Sequence, residues 1–317
     1  MNKKFSLNTQ TAVLIMAFVM WILLSLGSKS FLSGPNIQNI MRQMAIQGVL
    51  GIAEVLVIVT AGIDLSVGSV VAFVNIIMSQ MITGDAALSI PLAIIICFTF
   101  SALIGLAHGV LVFDFRLPPF IATLGTMTIL RGVVLLLSGG SNVFGLPRSV
   151  ADFASGDANF LGLPYLFWLL IITVFVIELV LRRTSFGRYI YALGSNPEAA
   201  RLSGVNTRMV TYGVYMMAST LAGLAGVMET SRLWMGVPST GTGYELDAIA
   251  AAVLGGTSLM GAEGTPAGAF VGALVMTTIY NGSVLLRVNP FWTRIIVGVI
   301  LVVTVSVDQW RKRRAGE

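Results

Sequence analysis

The sequence predicts an all-α integral membrane protein with about ten transmembrane helices. Of its 317 residues, 56% are hydrophobic and only 10% are charged, and the mean hydropathy is +0.89. A soluble domain carries roughly 25% charged residues, so this chain could not cover its own surface in water. Several apolar runs also reach the roughly 18–20 residues that a spanning helix needs. A water-soluble enzyme and a disordered chain are therefore excluded.

The apolar runs follow one another along the whole chain as a single membrane domain, residues 1–317, without a soluble domain. Residues 10–43 hold the first helix and an outer connection, 44–310 form the core, and 182–208 form a cytoplasmic loop. The segment 249–273 is read as two short crossings broken by the sequence GGTSLMGAEGTPAG; as one crossing, it would put the termini on opposite sides. The predicted crossings are roughly 11–28, 44–61, 65–83, 88–112, 119–137, 163–181, 209–232, 244–260, 266–286 and 291–309.

The first apolar run, which follows Lys3 and Lys4, resembles the core of a signal peptide. It is nearly long enough to span the membrane, and no A-x-A-like cleavage site follows it. We expect it to be the first transmembrane helix.

Arginine and lysine predict the orientation of the chain. With the N-terminus inside, twelve basic residues fall in cytoplasmic segments, against four to six outside. This asymmetry is the one that the positive-inside rule describes, and it places both termini in the cytoplasm. The basic tail RKRR then anchors the chain and contacts anionic lipid rather than nucleic acid. The twelve residues are Lys3, Lys4, Arg116, Arg182, Arg183, Arg188, Arg201, Arg208, Arg311, Lys312, Arg313 and Arg314.

The sequence excludes most catalytic chemistry. It has one cysteine, Cys97, and one histidine, His108, so no disulfide, zinc cluster or iron–sulfur site can form within this chain. None of its four lysines follows a glycine, so a Walker-type phosphate loop is absent. No metal or cofactor is expected, and if ATP drives this protein, another chain binds the ATP and magnesium. We expect His108 to be a hydrogen-bonded structural residue.

Two glycine-interrupted stretches resemble each other, TAGIDLSVGSVVAF at 60–73 and GGTSLMGAEGTPAGAF at 255–270. Each follows an apolar run at a predicted inner turn, and paired interruptions of this kind are typical of transport folds. Asp64 in the first stretch is also placed to cap the third helix through its first free amides. Both interpretations remain open at this point. Glu229 and Arg232, spaced i,i+3, are expected to pair on one helix face.

The cytoplasmic loop contains a signature for a short helix. Asn196 suits the N-cap, Pro197 the first helical position and Glu198 the positive end of the helix dipole, while Gly204 is placed to end the helix. Such a helix between two crossings is suited to dock into a groove on a cytoplasmic partner. An ordinary interfacial turn is the alternative.

This loop resembles the EAA-type loop of ABC importer permeases, through Glu198, Ala199, Ala200 and Gly204. Four stretches are similar, in the same order, to the ribose-type sugar permeases: GIDLSVGS, LPPFIATLGTMTILRG, SFGRYIYALGSNPEAARLSGV and YELDAIAAAVLGGTSLMG. The resemblance implies a type II importer fold like that of the vitamin-B12 permeases. It also implies a multi-pass protein of the bacterial inner membrane that works with a second permease chain, identical or homologous. A cytoplasmic ATPase and an extracytoplasmic solute-binding protein would complete the importer.

Carried onto this sequence, the resemblance predicts a coupling helix that sits in the ATPase cleft, and a monosaccharide as the solute. The ATPase-coupling residues would be Gly194, Asn196, Pro197, Glu198, Ala199, Ala200, Arg201 and Gly204. We place the substrate path at Asp64, Ser66, Asn75, Glu245 and Asp247. Two alternatives stay open: a proton- or ion-coupled carrier using Glu54, Asp64 or His108, and a membrane-embedded enzyme, which the absence of a catalytic set disfavours.

Overall fold

The computed structural model describes residues 9–154 and 159–315, and Lys3 and Lys4 lie outside these ranges. The described part of the chain is helical, with one short two-stranded hairpin. The first seven helices are α1 Thr9–Gly27, α2 Gly34–Val59, α3 Val67–Met81, α4 Ile90–Phe113, α5 Pro119–Ser138, α6 Arg148–Ala154 and α7 Tyr165–Arg183. Then follow α8 Ser185–Ser195, α9 Pro197–Leu202, α10 Thr207–Leu233, α11 Tyr244–Leu254, α12 Pro266–Leu285 and α13 Pro290–Ala315. The hairpin consists of β1 Asn159–Phe160 and β2 Leu163–Pro164.

Each predicted crossing coincides with a helix, but the helices differ in length. Six are long and apolar enough to cross a membrane: α2, α4, α5, α7, α10 and α12. Helix α3 has 15 residues and α11 has 11, so they extend roughly 22 and 16 Å against a hydrocarbon core of about 30 Å. The glycine-rich segments 60–66 and 255–265, which adjoin these two helices, are irregular.

Helix α2 forms the centre of the bundle. Nearly every residue from Met44 to Val59 is buried, and α7, α10, α11 and α12 pack around it. A helix that is apolar on all sides is expected in such a position. By contrast, α4, α5 and α7 are less than one third buried along their apolar windows, 22%, 22% and 28%. Their exposed apolar faces are those that lipid or another membrane protein would cover.

Small residues allow close helix packing, as the GLAGV stretch predicts. Gly223 of α10 packs against Ser101 of α4, and Gly226 packs against Val74 of α3. Gly272 of α12 lies against the backbone of Ala251 in α11. The predicted pair on α10 is also present, with Arg232 Nη1 3.1 Å from Glu229 Oε2.

The connections between the long helices lie at two ends of the bundle. We call the end that carries α9 the α9 end, and the opposite end, which carries α6, the α6 end. At the α9 end, Arg208 Nε in the first turn of α10 lies 3.1 Å from Oδ1 of Asp114, the residue that follows α4. At the α6 end, Val143 and Gly236 exchange backbone hydrogen bonds of 2.9 Å, and Trp234 donates to the carbonyl of Leu146. The long connection 139–164 contains α6 and the β1–β2 hairpin.

Candidate functional site

Helix α9 is a short, capped and exposed helix at the α9 end. The Asn196 side chain accepts a hydrogen bond of 2.9 Å from the amide of Ala199, and Pro197 occupies the first turn. Arg201 Nη2 lies 2.6 Å from Glu198 Oε1, and both side chains are more than 60% exposed. This ion pair holds the pKa of Glu198 below its usual value, so the surface of α9 presents both charges at neutral pH.

The end of α9 has the local structure that the sequence predicts. Gly204 follows the helix with a φ of +83°, a conformation that glycine adopts without the steric cost of a side chain. Ala200 is the buried residue of α9. Leu202, which we did not assign to the coupling set, is 76% exposed. An apolar side chain presented in this way is available to an apolar groove on a partner.

Helix α8 connects α9 to the bundle, where it packs against the two glycine-rich segments. A Cβ atom at Gly194 would overlap the carbonyl oxygen of Val59 and lie 2.9 Å from the amide nitrogen of Ala262. Tyr191, one turn earlier, donates a hydrogen bond of 2.7 Å to the carbonyl of Gly264. Because one residue, Asn196, separates α8 from α9, a displacement of α9 is transmitted directly to this contact.

The two glycine-interrupted stretches meet at this contact. The amide of Ala262 donates a hydrogen bond of 2.9 Å to the carbonyl of Val59, the last residue of α2. Gly261 lies against the backbone of Gly194 and the side chain of Ala61. We call this contact of segments 59–62, 261–264 and Gly194 the glycine junction. The structure thus brings together two stretches that lie about 200 residues apart in sequence. The first precedes the short helix α3, and the second follows the short helix α11.

Asp64 does not cap α3 as predicted. Its Oδ1 accepts hydrogen bonds from the amide and the hydroxyl of Ser66, at 2.8 and 2.6 Å. Helix α3 begins only at Val67, with Ser66 as its N-cap residue and no side-chain cap. The carboxylate therefore closes a local turn two residues ahead, a turn common for aspartate, and the first free amides of α3 lie beyond it.

Asp64 also belongs to a buried cluster of ionisable side chains. His108 Nδ1 of α4 lies 3.9 Å from Asp64 Oδ2, and both side chains are fully buried. Tyr215 of α10 lies edge-on to His108, with ring centroids 5.9 Å apart. Glu54 of α2 is fully buried, interacts electrostatically with Asp64 and has no hydrogen-bond partner for either carboxylate oxygen.

The hydrogen-bond partner expected for His108 is not found among the described residues, because neither ring nitrogen is bonded there. Buried charges are costly unless paired, and this cluster is where the structure brings Glu54, Asp64 and His108 together. Among the described residues, no three His, Cys, Asp or Glu side chains are grouped so as to hold a metal ion.

Asn75 and Glu245 lie towards the α6 end. The Asn75 amide donates to the Thr230 hydroxyl at 3.0 Å and to the Met235 carbonyl at 3.1 Å, and its oxygen accepts from the amide of Val237 at 2.6 Å. These bonds tie α3 to the connection after α10. The carboxylate of Glu245 adjoins Gly68 in the first turn of α3, and Arg131 interacts with it electrostatically.

Asp247 interacts electrostatically with Glu245 in the same turn of α11. It differs from the other four predicted path residues in lining a cavity of about 580 Å³. We call this space the Asp247 cavity. It lies between α2, α10, α11, α12 and α13, and its lining includes Gln43, Gln47, Asp247, Thr277, Tyr280 and Arg294. Apart from Asp247, none of these was assigned to the path. The sequence feature that could have identified them is a polar side chain inside an apolar run, as at Gln47 and Tyr280.

Comparison with known proteins decides the family. Residues 36–305 match the model of a family described as "Branched-chain amino acid transport system / permease component". The chain belongs to this family. It is 38% identical to the "Ribose import permease protein RbsC" of Bacillus subtilis (strain 168) over 298 residues, which cover 94% of this chain and 91% of that one.

The RbsC protein of Escherichia coli (strain K12) is also 38% identical, over 93% of this chain and 92% of its own. The "L-arabinose ABC transporter permease protein AraH" of Azospirillum brasilense is 34% identical, over 98% of this chain and 90% of its own. No solved structure matches the chain. The resemblance to the ribose-type permeases is confirmed.

Proposed function

We propose that this protein is the membrane-spanning permease subunit of an ATP-driven ABC importer for a monosaccharide. The relatives described above are named for the import of ribose and for the transport of L-arabinose. A further relative, 31% identical over 97% of this chain, is named for galactose and methyl galactoside. A neutral monosaccharide is the solute class that these three names share. An extracytoplasmic binding protein would deliver it, and a second permease chain would complete the path.

The observation that carries this proposal is that α8, which Asn196 alone separates from α9, packs on the glycine junction. The exposed, capped helix α9, with its apolar tip at Leu202, offers a surface for a cytoplasmic ATPase. Through Gly194 and Tyr191, α8 contacts both glycine-rich segments. Movement of the ATPase would therefore reach α3, α11 and α12 without passing through a soluble domain.

The proposal extends to topology and location. If all ten apolar helices cross a bacterial inner membrane, with α3 and α11 completed by segments 60–66 and 255–265, the α9 end is cytoplasmic. Both termini then lie in the cytoplasm, as the distribution of arginine and lysine predicts. This arrangement has the type II importer fold expected from the resemblance.

The deciding experiment is purification of the tagged chain from native membranes in mild detergent, followed by mass identification and an ATPase assay. We expect a nucleotide-binding protein to co-purify, with ATP hydrolysis stimulated by a solute-binding protein. A chain that purifies alone, and whose uptake of ribose collapses with a proton ionophore, would instead support the alternative carrier. That carrier would use the buried Glu54, Asp64 and His108 cluster.

The coupling surface is tested by charge reversal at Glu198→Lys and by Gly204→Asp. Both variants should insert normally and lose about tenfold or more of ribose uptake, because the docking surface is altered. Asp85→Lys is the matched control, since Asp85 is also exposed but lies in the connection between α3 and α4 at the α6 end. Co-purification of the ATPase should survive Asp85→Lys. Full uptake by Glu198→Lys would count against α9 as the coupling helix.

A further inference from the structure

The Asp247 cavity is a half-open space between five helices, and its lining includes several polar side chains. Gln47 lies 13 residues after the start of α2, and Thr277 lies 8 residues before the end of α12. At 1.5 Å per residue, these positions are roughly 20 and 12 Å below the helix ends at the α6 end. The cavity thus extends from the α6 end to about the middle of a hydrocarbon layer. Polar side chains at that depth are costly unless they face water, a solute or a partner.

The lining leaves hydrogen-bonding groups unused. Among the described residues, the hydroxyl of Thr277 and the amide oxygen of Gln47 have no hydrogen-bond partner, and Thr277 is only 2% exposed. Tyr280 donates a hydrogen bond of 2.7 Å to Asp247 Oδ1. Buried polar atoms of this kind are normally satisfied by protein, water or ligand.

The charges of the lining balance. Asp247 faces the same space as Arg294, and Arg232, which also lines it, is paired with Glu229. A solute with a net charge would bring an unpaired charge into this partly buried space, where uncompensated charges are costly. Amide, hydroxyl and phenol groups can instead donate to and accept from a neutral solute. The volume is within the roughly 300–1,000 Å³ typical of small-molecule sites.

From this geometry we infer that the Asp247 cavity is a low-affinity binding site for a neutral polyhydroxylated solute on its way through the permease. The inference rests on the proposed function and adds the place at which the sugar is held. Gln47 and Thr277 would contact sugar hydroxyls, and Tyr280 would position Asp247. The rings of Tyr244 and Tyr280, which both line the cavity, offer apolar surface to the ring of a monosaccharide.

Cysteine accessibility tests the inference directly. The native chain has one cysteine, Cys97, which is buried, so Cys97→Ala gives a background without thiols. In that background, Thr277→Cys is compared with Leu103→Cys, a position on α4 that is 53% exposed on an apolar face. Both are treated in whole cells with a membrane-impermeant, charged thiosulfonate, which reacts with thiolates in water.

We expect Thr277→Cys to react at least tenfold faster than Leu103→Cys, and millimolar D-ribose to slow that reaction severalfold. L-Leucine at the same concentration should have no effect. Equal reaction rates at the two positions would overturn the inference that the cavity is connected to water. If L-leucine alone slows the reaction, the inference that the solute is polyhydroxylated is refuted. If neither solute slows it, the inference that the cavity binds a solute is refuted.

A transport measurement separates this inference from the proposed function. Gln47→Leu should reduce ribose uptake by the assembled importer about tenfold, while ATP hydrolysis stimulated by the binding protein is retained. Gln80→Leu is the matched control, because Gln80 bonds to the carbonyl of Leu137 at the end of α3, outside this cavity. Wild-type uptake by Gln47→Leu overturns the site alone. Absence of ATP-dependent ribose uptake in the wild-type protein overturns the proposed function.

Discussion

Replacing Gly194 by alanine tests the glycine junction. The added Cβ would overlap the carbonyl oxygen of Val59 and lie 2.9 Å from both the carbonyl carbon of Val59 and the amide nitrogen of Ala262. Favourable contacts begin near 3.5 Å, so the carbonyl carbon of Val59 and the amide nitrogen of Ala262 must each move by about 0.6 Å, and the overlapping carbonyl oxygen must move further. Backbone atoms at the end of a buried helix cannot rotate out of the way as a flexible side chain would.

The magnitude follows from two contributions. Overpacking of a tight contact costs typically about 1–3 kcal/mol. Separating Val59 from Ala262 also weakens their hydrogen bond of 2.9 Å, a net loss of about 1 kcal/mol. The closed junction would be disfavoured by about 2–4 kcal/mol, or roughly 30- to 1,000-fold in population. If ATP-driven movement passes through this contact, transport should fall by a similar order while ATP hydrolysis persists.

The assay is uptake of labelled D-ribose by the complete importer in proteoliposomes, with ATP hydrolysis and thermal unfolding measured on the same preparation. Gly34→Ala is the control, because a Cβ there meets nothing within 4 Å. Tyr191→Phe is a milder variant that removes only the hydrogen bond to Gly264 and should reduce uptake less. Unchanged uptake and unchanged coupling in Gly194→Ala would refute the reasoning.

Three further predictions concern stability, measured by thermal unfolding in detergent. Asp64→Ala removes two hydrogen bonds from Ser66 and should destabilise the protein by about 2–4 kcal/mol. Asp64→Asn keeps an acceptor and should cost less than half as much. Equal losses of stability in the two variants would contradict the turn closed by Asp64 Oδ1. Asn75→Ala leaves the amide of Val237 unpaired and should destabilise the protein by about 2–4 kcal/mol. A melting temperature within 1 °C of wild type corresponds to roughly a few tenths of a kcal/mol. Such a result would contradict the view that Asn75 holds α3 to the connection after α10. Arg232→Met leaves the buried carboxylate of Glu229 uncompensated and should cost about 3–5 kcal/mol; adding Glu229→Gln should recover much of that loss.

The sequence predicted the positions of the helices well, because a spanning helix is recognised by a run of apolar residues that needs no tertiary information. It also predicted α9, since Asn196, Pro197 and Gly204 act on their own local backbone. It did not predict α6 or the β1–β2 hairpin. Both are short elements within a polar connection, where no hydrophobic periodicity marks them.

The sites were harder to predict than the helices. The cluster of Glu54, Asp64 and His108 brings together α2, α4 and the segment before α3, and nothing in the spacing of these residues indicates that they meet. The cap predicted for Asp64 was wrong because an aspartate two residues from a serine amide can close a turn before the helix begins. Asp247 was selected as a residue near an outer loop, but its role depends on α12 and α13, which follow later in the chain.

The short helices α3 and α11 explain why the glycine junction and the Asp247 cavity belong to one mechanism. Helix α11 has 11 residues, and roughly 12 Å separates Asp247 in its first turn from Gly255, which follows its last residue. A rigid helix of this length transmits a tilt from one end to the other with little loss, whereas a helix anchored in both lipid interfaces would resist it. The residues that face the solute then need not be those that contact the ATPase.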